Sequence, residues 1–198
     1  LGKRVLPTLA SVSRALLVSR MLALGCGMAN ALWLPLLLDQ HSVGIFFLSQ
    51  LYLSGATIAA LLGLTFTAQG RVTTAMAKGD LSTARRCAIQ ATTLVLLISL
   101  TLAGLTAAAA LLFDAALQPV IWLTAAALPC GAMGVISAEL LRGYHLYRWA
   151  AYITLFMAAA PISYLLLALA LGWSVSLQGV LSGVLVGSAF SAGIGMAR

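Results

Sequence analysis

Arg20 is the side chain in this sequence best placed to do chemistry. It lies within an apolar run near its N-terminal, basic flank, and a guanidinium at that depth can hold a phosphate or diphosphate through paired, charge-assisted hydrogen bonds. Above it, Ala23, Gly27 and Ala31 recur at intervals of four. Such a small-residue face predicts close helix packing, which would turn Arg20 toward a bundle. The competing reading is a side chain that snorkels to the interface as a flank of its span. Asn30, Gln50, Tyr52 and Gln69 could line an inner path with hydrogen-bonding groups, or serve equally as helix–helix contacts. The densest charge is in "TAQGRVTTAMAKGDLSTARR", Thr67–Arg86, where Arg71, Lys78, Asp80, Arg85 and Arg86 fall together. Arg71 and Lys78 can be read as substrate contacts, or as a topology signal and headgroup anchor.

Other chemistries lack their residues. The histidines, His41 and His145, have no second ligand or nucleophile at useful spacing, and no phosphate loop or zinc-protease motif occurs. "GVLSG" at Gly179 has the wrong spacing and no histidine partner for an intramembrane serine protease. Cys26, Cys87 and Cys130 are widely spaced, matching neither a disulfide framework nor a metal site, and read as small packing residues. All four acidic residues, Asp39, Asp80, Asp114 and Glu139, lie outside or at the edges of the apolar runs. A buried carboxylate is the usual ligand for a proton or cation inside a bundle. The expectation is therefore no enzyme, no metal or cofactor, and no nucleic-acid partner.

The elements that must position these residues follow from composition. Of 198 residues, 62% are hydrophobic and 8% charged, and the mean hydropathy is +1.07. A soluble domain carries about a quarter charged residues, so the solvent is lipid. Six apolar runs reach the roughly 20 residues that a helix needs to cross hydrocarbon: 15–38, 43–66, 88–113, 117–138, 150–173 and 177–197. They lack the alternation of barrel strands. The expected fold is an all-α integral membrane bundle of six transmembrane helices, forming a single unit over 1–198. With the N-terminus inside, all eleven Lys and Arg residues fall on the cytoplasmic side, and Asp39 and Asp114 on the other. That sorting predicts N-in, C-in topology. The basic segment then joins the second and third spans, with Asp80 capping a helix that enters the membrane near Ala88.

Small residues four apart also mark the second run (Gly55, Ala59, Gly63, Thr67) and the sixth (Gly179, Gly183, Gly187, Ser191, Gly195) as packing faces. Pro35, Pro129 and Pro161 interrupt spans. Pro161, at mid-span, is a candidate hinge, with a static kink as the alternative. Glu139 and Arg142, three apart, are expected to pair. No cleavable signal peptide is evident. Leu rather than Met at position 1 fits a piece of a longer gene product.

"VSRML" at Val18–Leu22, "LLLDQHSVGIFFLSQL" leading into the second span, and "AMAKGDLSTARR" before the third together resemble the polysaccharide-transporter branch of the multidrug/oligosaccharidyl-lipid/polysaccharide flippase superfamily. Members read a short acidic turn followed by a motif like "SVGIFF" at Ser42–Phe47. The related lipid II flippases carry a first-span arginine preceded by Ser, as Ser19–Arg20 does here. The resemblance covers most of residues 10–150. It implies a V-shaped transporter of two six-helix lobes that moves a lipid-linked anionic glycan across the bacterial inner membrane by alternating access, with Arg20 holding the diphosphate. The departure is length, because six spans make one lobe. A second lobe must come from a missing half or a second copy. The other readings are a multidrug exporter of the same superfamily and a non-transporting scaffold for a polysaccharide synthase.

Overall fold

The structure, a computed structural model, describes the backbone of residues 5–196 and the side-chain surroundings of residues 17–193. Lys3, Arg4 and Arg198, and the surroundings of Arg14 and Gly195, lie outside what is described. The fold is all-helical. Its elements are α1 (Val5–Leu37), α2 (Gln40–Leu61), α3 (Leu64–Ala77), α4 (Leu81–Ala110), α5 (Gln118–Gly143), α6 (Tyr147–Ala170) and α7 (Leu177–Met196).

Five of these, α1, α2, α4, α5 and α6, are long and apolar enough to cross a membrane. The described apolar stretch of α7, Leu177–Gly193, is shorter. The exposed surface agrees with lipid as the surrounding solvent: Leu112 is 87% exposed, Phe66 81% and Leu36 80%. Side chains of that size left bare in water would form an apolar patch far larger than soluble proteins carry.

The second apolar run does not continue to Phe66. It stops at Leu61, because Leu62 (φ 40°) and Gly63 (φ 72°) both take left-handed backbone. Leu62 ends α2 by donating its N–H to the Ile58 carbonyl. Gly63 supplies the second left-handed residue without a Cβ penalty. The chain restarts as α3, so the basic segment is itself mostly helical. Hydropathy could not separate α2 from α3, since the break lies inside an apolar stretch.

Local chemistry accounts for the neighbouring ends. Asp39 caps α2 by accepting the Ser42 N–H at 3.0 Å. Asp80 caps α4, accepting the Thr83 N–H at 3.0 Å together with the hydroxyls of Ser82 and Thr83. The expected cap therefore forms, and α4 begins seven residues before its apolar run.

α5 is the hub. It is the most buried of the five long helices and packs against α2, α3, α4, α6 and α7, while α1 lies mainly along α6. Alanine dominates the contact among α2, α3, α4 and α5, where Ala60, Ala68, Ala84, Ala91 and Ala132 meet Val72, Val95 and Ile136. Larger side chains close the other end, with Leu34, Phe46, Leu165 and Val180 in one cluster.

The small-residue face of the last helix packs as expected. A Cβ on Gly187 would fall 2.1 Å from the Ala160 Cβ, and one on Gly179 would fall 1.8 Å from the Tyr164 hydroxyl. Ser191 donates across to the Ile153 carbonyl at 3.4 Å. The faces expected on the first two spans are mostly open, with Ala23 half-buried on the first. Gly27, Ala31, Gly55, Ala59 and Gly63 are all exposed, and nothing lies within 4 Å of a Cβ built on the three glycines.

Candidate functional site

On α1 the packed stripe runs through Ser19, Ala23, Cys26, Asn30, Leu34 and Leu37. The steps of three and four residues keep these on one face. Arg20 is next to Ser19, about 100° further round the helix, and is exposed. It does share a flank with Gly27 and Ala31, but that flank is open. The expected turn of Arg20 into the packing of this bundle is therefore corrected. The spacing of small residues marked Gly27 and Ala31 as the contact, whereas the buried and half-buried residues of α1 form the adjacent stripe. Asn30 is half-buried on that stripe, and its Oδ1 is shielded from solvent with no hydrogen-bond partner.

Gln50 is half-buried on α2 and Gln69 half-buried on α3. Tyr52 on α2 meets Thr106 on α4 through their hydroxyls. Thr106 donates to the Leu102 carbonyl at 2.7 Å, so its oxygen is the acceptor and Tyr52 the donor. Tyr52 thus serves as a helix–helix contact, one of the two roles its sequence position allowed. Pro161 is buried within α6, and Ser163 donates to the Ala160 carbonyl at 2.7 Å beside it.

Arg71 is exposed on α3 and is joined by Lys78, Thr67, Thr74, Thr83 and Asp80 along a groove of about 610 Å³ between α3 and α4. Neither cation has an ion pair among the described residues, where the single salt bridge joins Arg142 to Glu139. Asp80 is the groove's carboxylate. Its hydrogen bonds from the Thr83 hydroxyl, the Thr83 N–H and the Ser82 hydroxyl pull its pKa down to about 2, so it stays ionised at neutral pH. The groove thus carries two cations and one anion. Its donors for an oxyanion are the two cations, because the hydroxyls of Thr67, Thr74 and Thr83 already donate to the Leu64 carbonyl, the Gly70 carbonyl and Asp80. A narrower groove of about 290 Å³ also reaches Arg71, with Gln90 across from it on α4.

Of the five candidate residues, Arg71 lines these two grooves, and Arg20, Asn30, Gln50 and Gln69 are not among the residues that line them. One positioning residue escaped sequence reasoning. A Cβ on Gly143, at the end of α5, would lie 3.1 Å from the Val72 Cγ1 and 3.3 Å from the Gln69 carbonyl oxygen. The missing side chain lets α3 lie down on α5, which sets where Arg71 stands. Gly143 follows Arg142 in a basic stretch and belongs to no spacing pattern, so only the fold reveals its role.

No family model, curated protein or solved structure matches this chain.

Proposed function

We propose that the chain is one lobe of a polysaccharide-biosynthesis transporter in the bacterial inner membrane. It would flip undecaprenyl-diphosphate-linked oligosaccharide by alternating access together with a second six-helix lobe. The observation that carries this reading is the groove between α3 and α4, which Arg71 and Lys78 line without ion pairs among the described residues. A diphosphate at the basic end of the bundle meets complementary charge there. The open flank of Arg20, Gly27 and Ala31 supports the second lobe. Small residues allow another helix to approach closely, and a partner on that flank would bring Arg20 into a shared cavity. The exporter reading wants a carboxylate within the spans for a cationic drug. Here Asp39 and Asp80 are helix caps, Asp114 lies in the α4–α5 connection, and Glu139 is paired near the end of α5.

The test is the pool of lipid-linked oligosaccharide in cells that lack the intact gene, rescued with wild type, Arg20→Ala, or the double variant Arg71→Ala/Lys78→Ala. The expected result is a raised pool that wild type clears and that the double variant leaves raised at equal protein level. No rise on deletion refutes the glycan reading and favours export or scaffolding. A rise cleared by every variant keeps the transporter but moves its anion site away from these residues.

A further inference from the structure

A second groove, of about 780 Å³, lies between the N-terminal half of α4 and the C-terminal half of α5. The α4 wall carries Arg85, Ile89 and Thr93, and the α5 wall carries Leu140, Leu141 and Tyr144. Steps of four along α4 place its three residues on one face. At 1.5 Å rise per residue, the groove follows that face for roughly 12 Å inward from Arg85. It therefore runs from a guanidinium at the basic end past Ile89, Leu140 and Leu141 and ends inward at Thr92, Thr93 and Ser137. Charge followed by apolar wall is the order in which a phospholipid presents its phosphate and its acyl chain.

The cation at the mouth is not neutralised by the protein. Among the described residues Arg85 has no carboxylate partner. Asp80 is occupied in capping α4 and lines the separate α3–α4 groove. Glu139 is bonded to Arg142 and points to the opposite side of α5, since it is two residues, about 200°, from Ser137 and Leu141 on the groove wall. Arg85 is joined by a phenol. Burial raises the pKa of Tyr144 above its ordinary value, with Cys87 adding to the rise and the Arg85 charge opposing it. At neutral pH the phenol is thus a hydrogen-bond donor within the field of the cation. A basic pocket between helices at the cytoplasmic surface is the recurrent setting for an anionic lipid headgroup.

We infer that the α4–α5 groove binds one anionic phospholipid of the inner leaflet, its phosphate held by Arg85 and Tyr144 and an acyl chain lying along Ile89, Thr93 and Leu140. This site is distinct from the groove of Arg71 and Lys78, and it does not depend on the transport reading.

The experiment is native mass spectrometry of the full chain in detergent, titrated with phosphatidylglycerol or with phosphatidylcholine. Wild type is expected to retain one phosphatidylglycerol in preference to phosphatidylcholine. Arg85→Ala should weaken phosphatidylglycerol about fivefold, the size of one interfacial cation–anion contact. Arg86→Ala removes the same charge from the next position on α4 and should leave binding close to wild type. Thr93→Trp keeps Arg85 but fills the channel, and should also lose the lipid. Equal effects of Arg85→Ala and Arg86→Ala would overturn the site, reducing it to diffuse surface charge. So would full retention in Thr93→Trp, or equal binding of the two lipids. Arg85 and Thr93 are exposed, so neither change touches the packed core.

Discussion

The contact between α6 and α7 offers the sharpest quantitative test of the fold. Changing Gly187 to Ala places a methyl group 2.1 Å from the Ala160 Cβ and 3.4 Å from the Phe156 carbonyl oxygen. Carbon atoms rest at about 3.5–4.0 Å, so the two helices must separate locally by roughly 1.5 Å. Ala160 has no torsion that could relieve the clash, which leaves backbone movement. Overpacking of this kind costs about 1–3 kcal/mol, offset by about 1 kcal/mol of helix propensity gained on replacing glycine. The net expectation is a loss of up to about 2 kcal/mol. Gly179→Ala makes a closer nominal contact, 1.8 Å to the Tyr164 hydroxyl, yet should cost less, because the tip of a tyrosine can swing away. Gly104, in α4, has nothing within 4 Å, so Gly104→Ala should stabilise by about 0.5–1 kcal/mol. The assay is reversible unfolding in mixed micelles containing a denaturing detergent, followed by far-UV circular dichroism. Ala160→Gly in the Gly187→Ala background should recover about 1 kcal/mol as a coupling energy. If Gly187→Ala behaves like Gly104→Ala, or if Ala160→Gly rescues nothing, this α6–α7 packing is refuted.

Three further outcomes are expected. Leu62→Gly should stabilise by about 1 kcal/mol, since Leu62 holds φ 40° and, at 69% exposed, has little packing to lose; destabilisation on unfolding would refute the left-handed break. Tyr52→Phe should cost about 0.6 kcal/mol, typical of an interhelical hydrogen bond in a membrane protein, and the Thr106→Ala background should abolish that cost in a double-mutant cycle. The Asp80 cap is pH-dependent: its folded pKa of about 2 is depressed from 3.8, so its stabilising contribution is complete above about pH 4 and is lost as pH falls through about 2. Hydrogen exchange at the Thr83 amide, corrected for the intrinsic rate, should accelerate across that window in wild type and be uniformly fast in Asp80→Ala. An exchange rate independent of Asp80 would show that the cap contributes nothing.

Some of the structure was legible because its causes are local. Runs of apolar residues announce helices that lipid can surround, a carboxylate three residues before Thr83 announces a cap, and Glu139 and Arg142 at i, i+3 announce a pair. Gly179, Gly183 and Gly187 of α7 also packed as their spacing predicted. The sequence could not say which flank of each helix faces inward. In water, polar and apolar faces differ and periodicity reports the buried side; in lipid, both sides of a helix are apolar. The same spacing of four that marks a true contact at Gly183 and Gly187 marks an open flank at Gly27 and Ala31. Tertiary structure made that choice, seating α1 on α6, with Leu34 in one cluster with Leu165, and leaving Arg20 exposed. It also broke the second apolar run at Leu62 and Gly63 and laid α3 against Gly143. Composition determined that helices would form in lipid; close approach of backbones, residue against residue, decided where the charges stand.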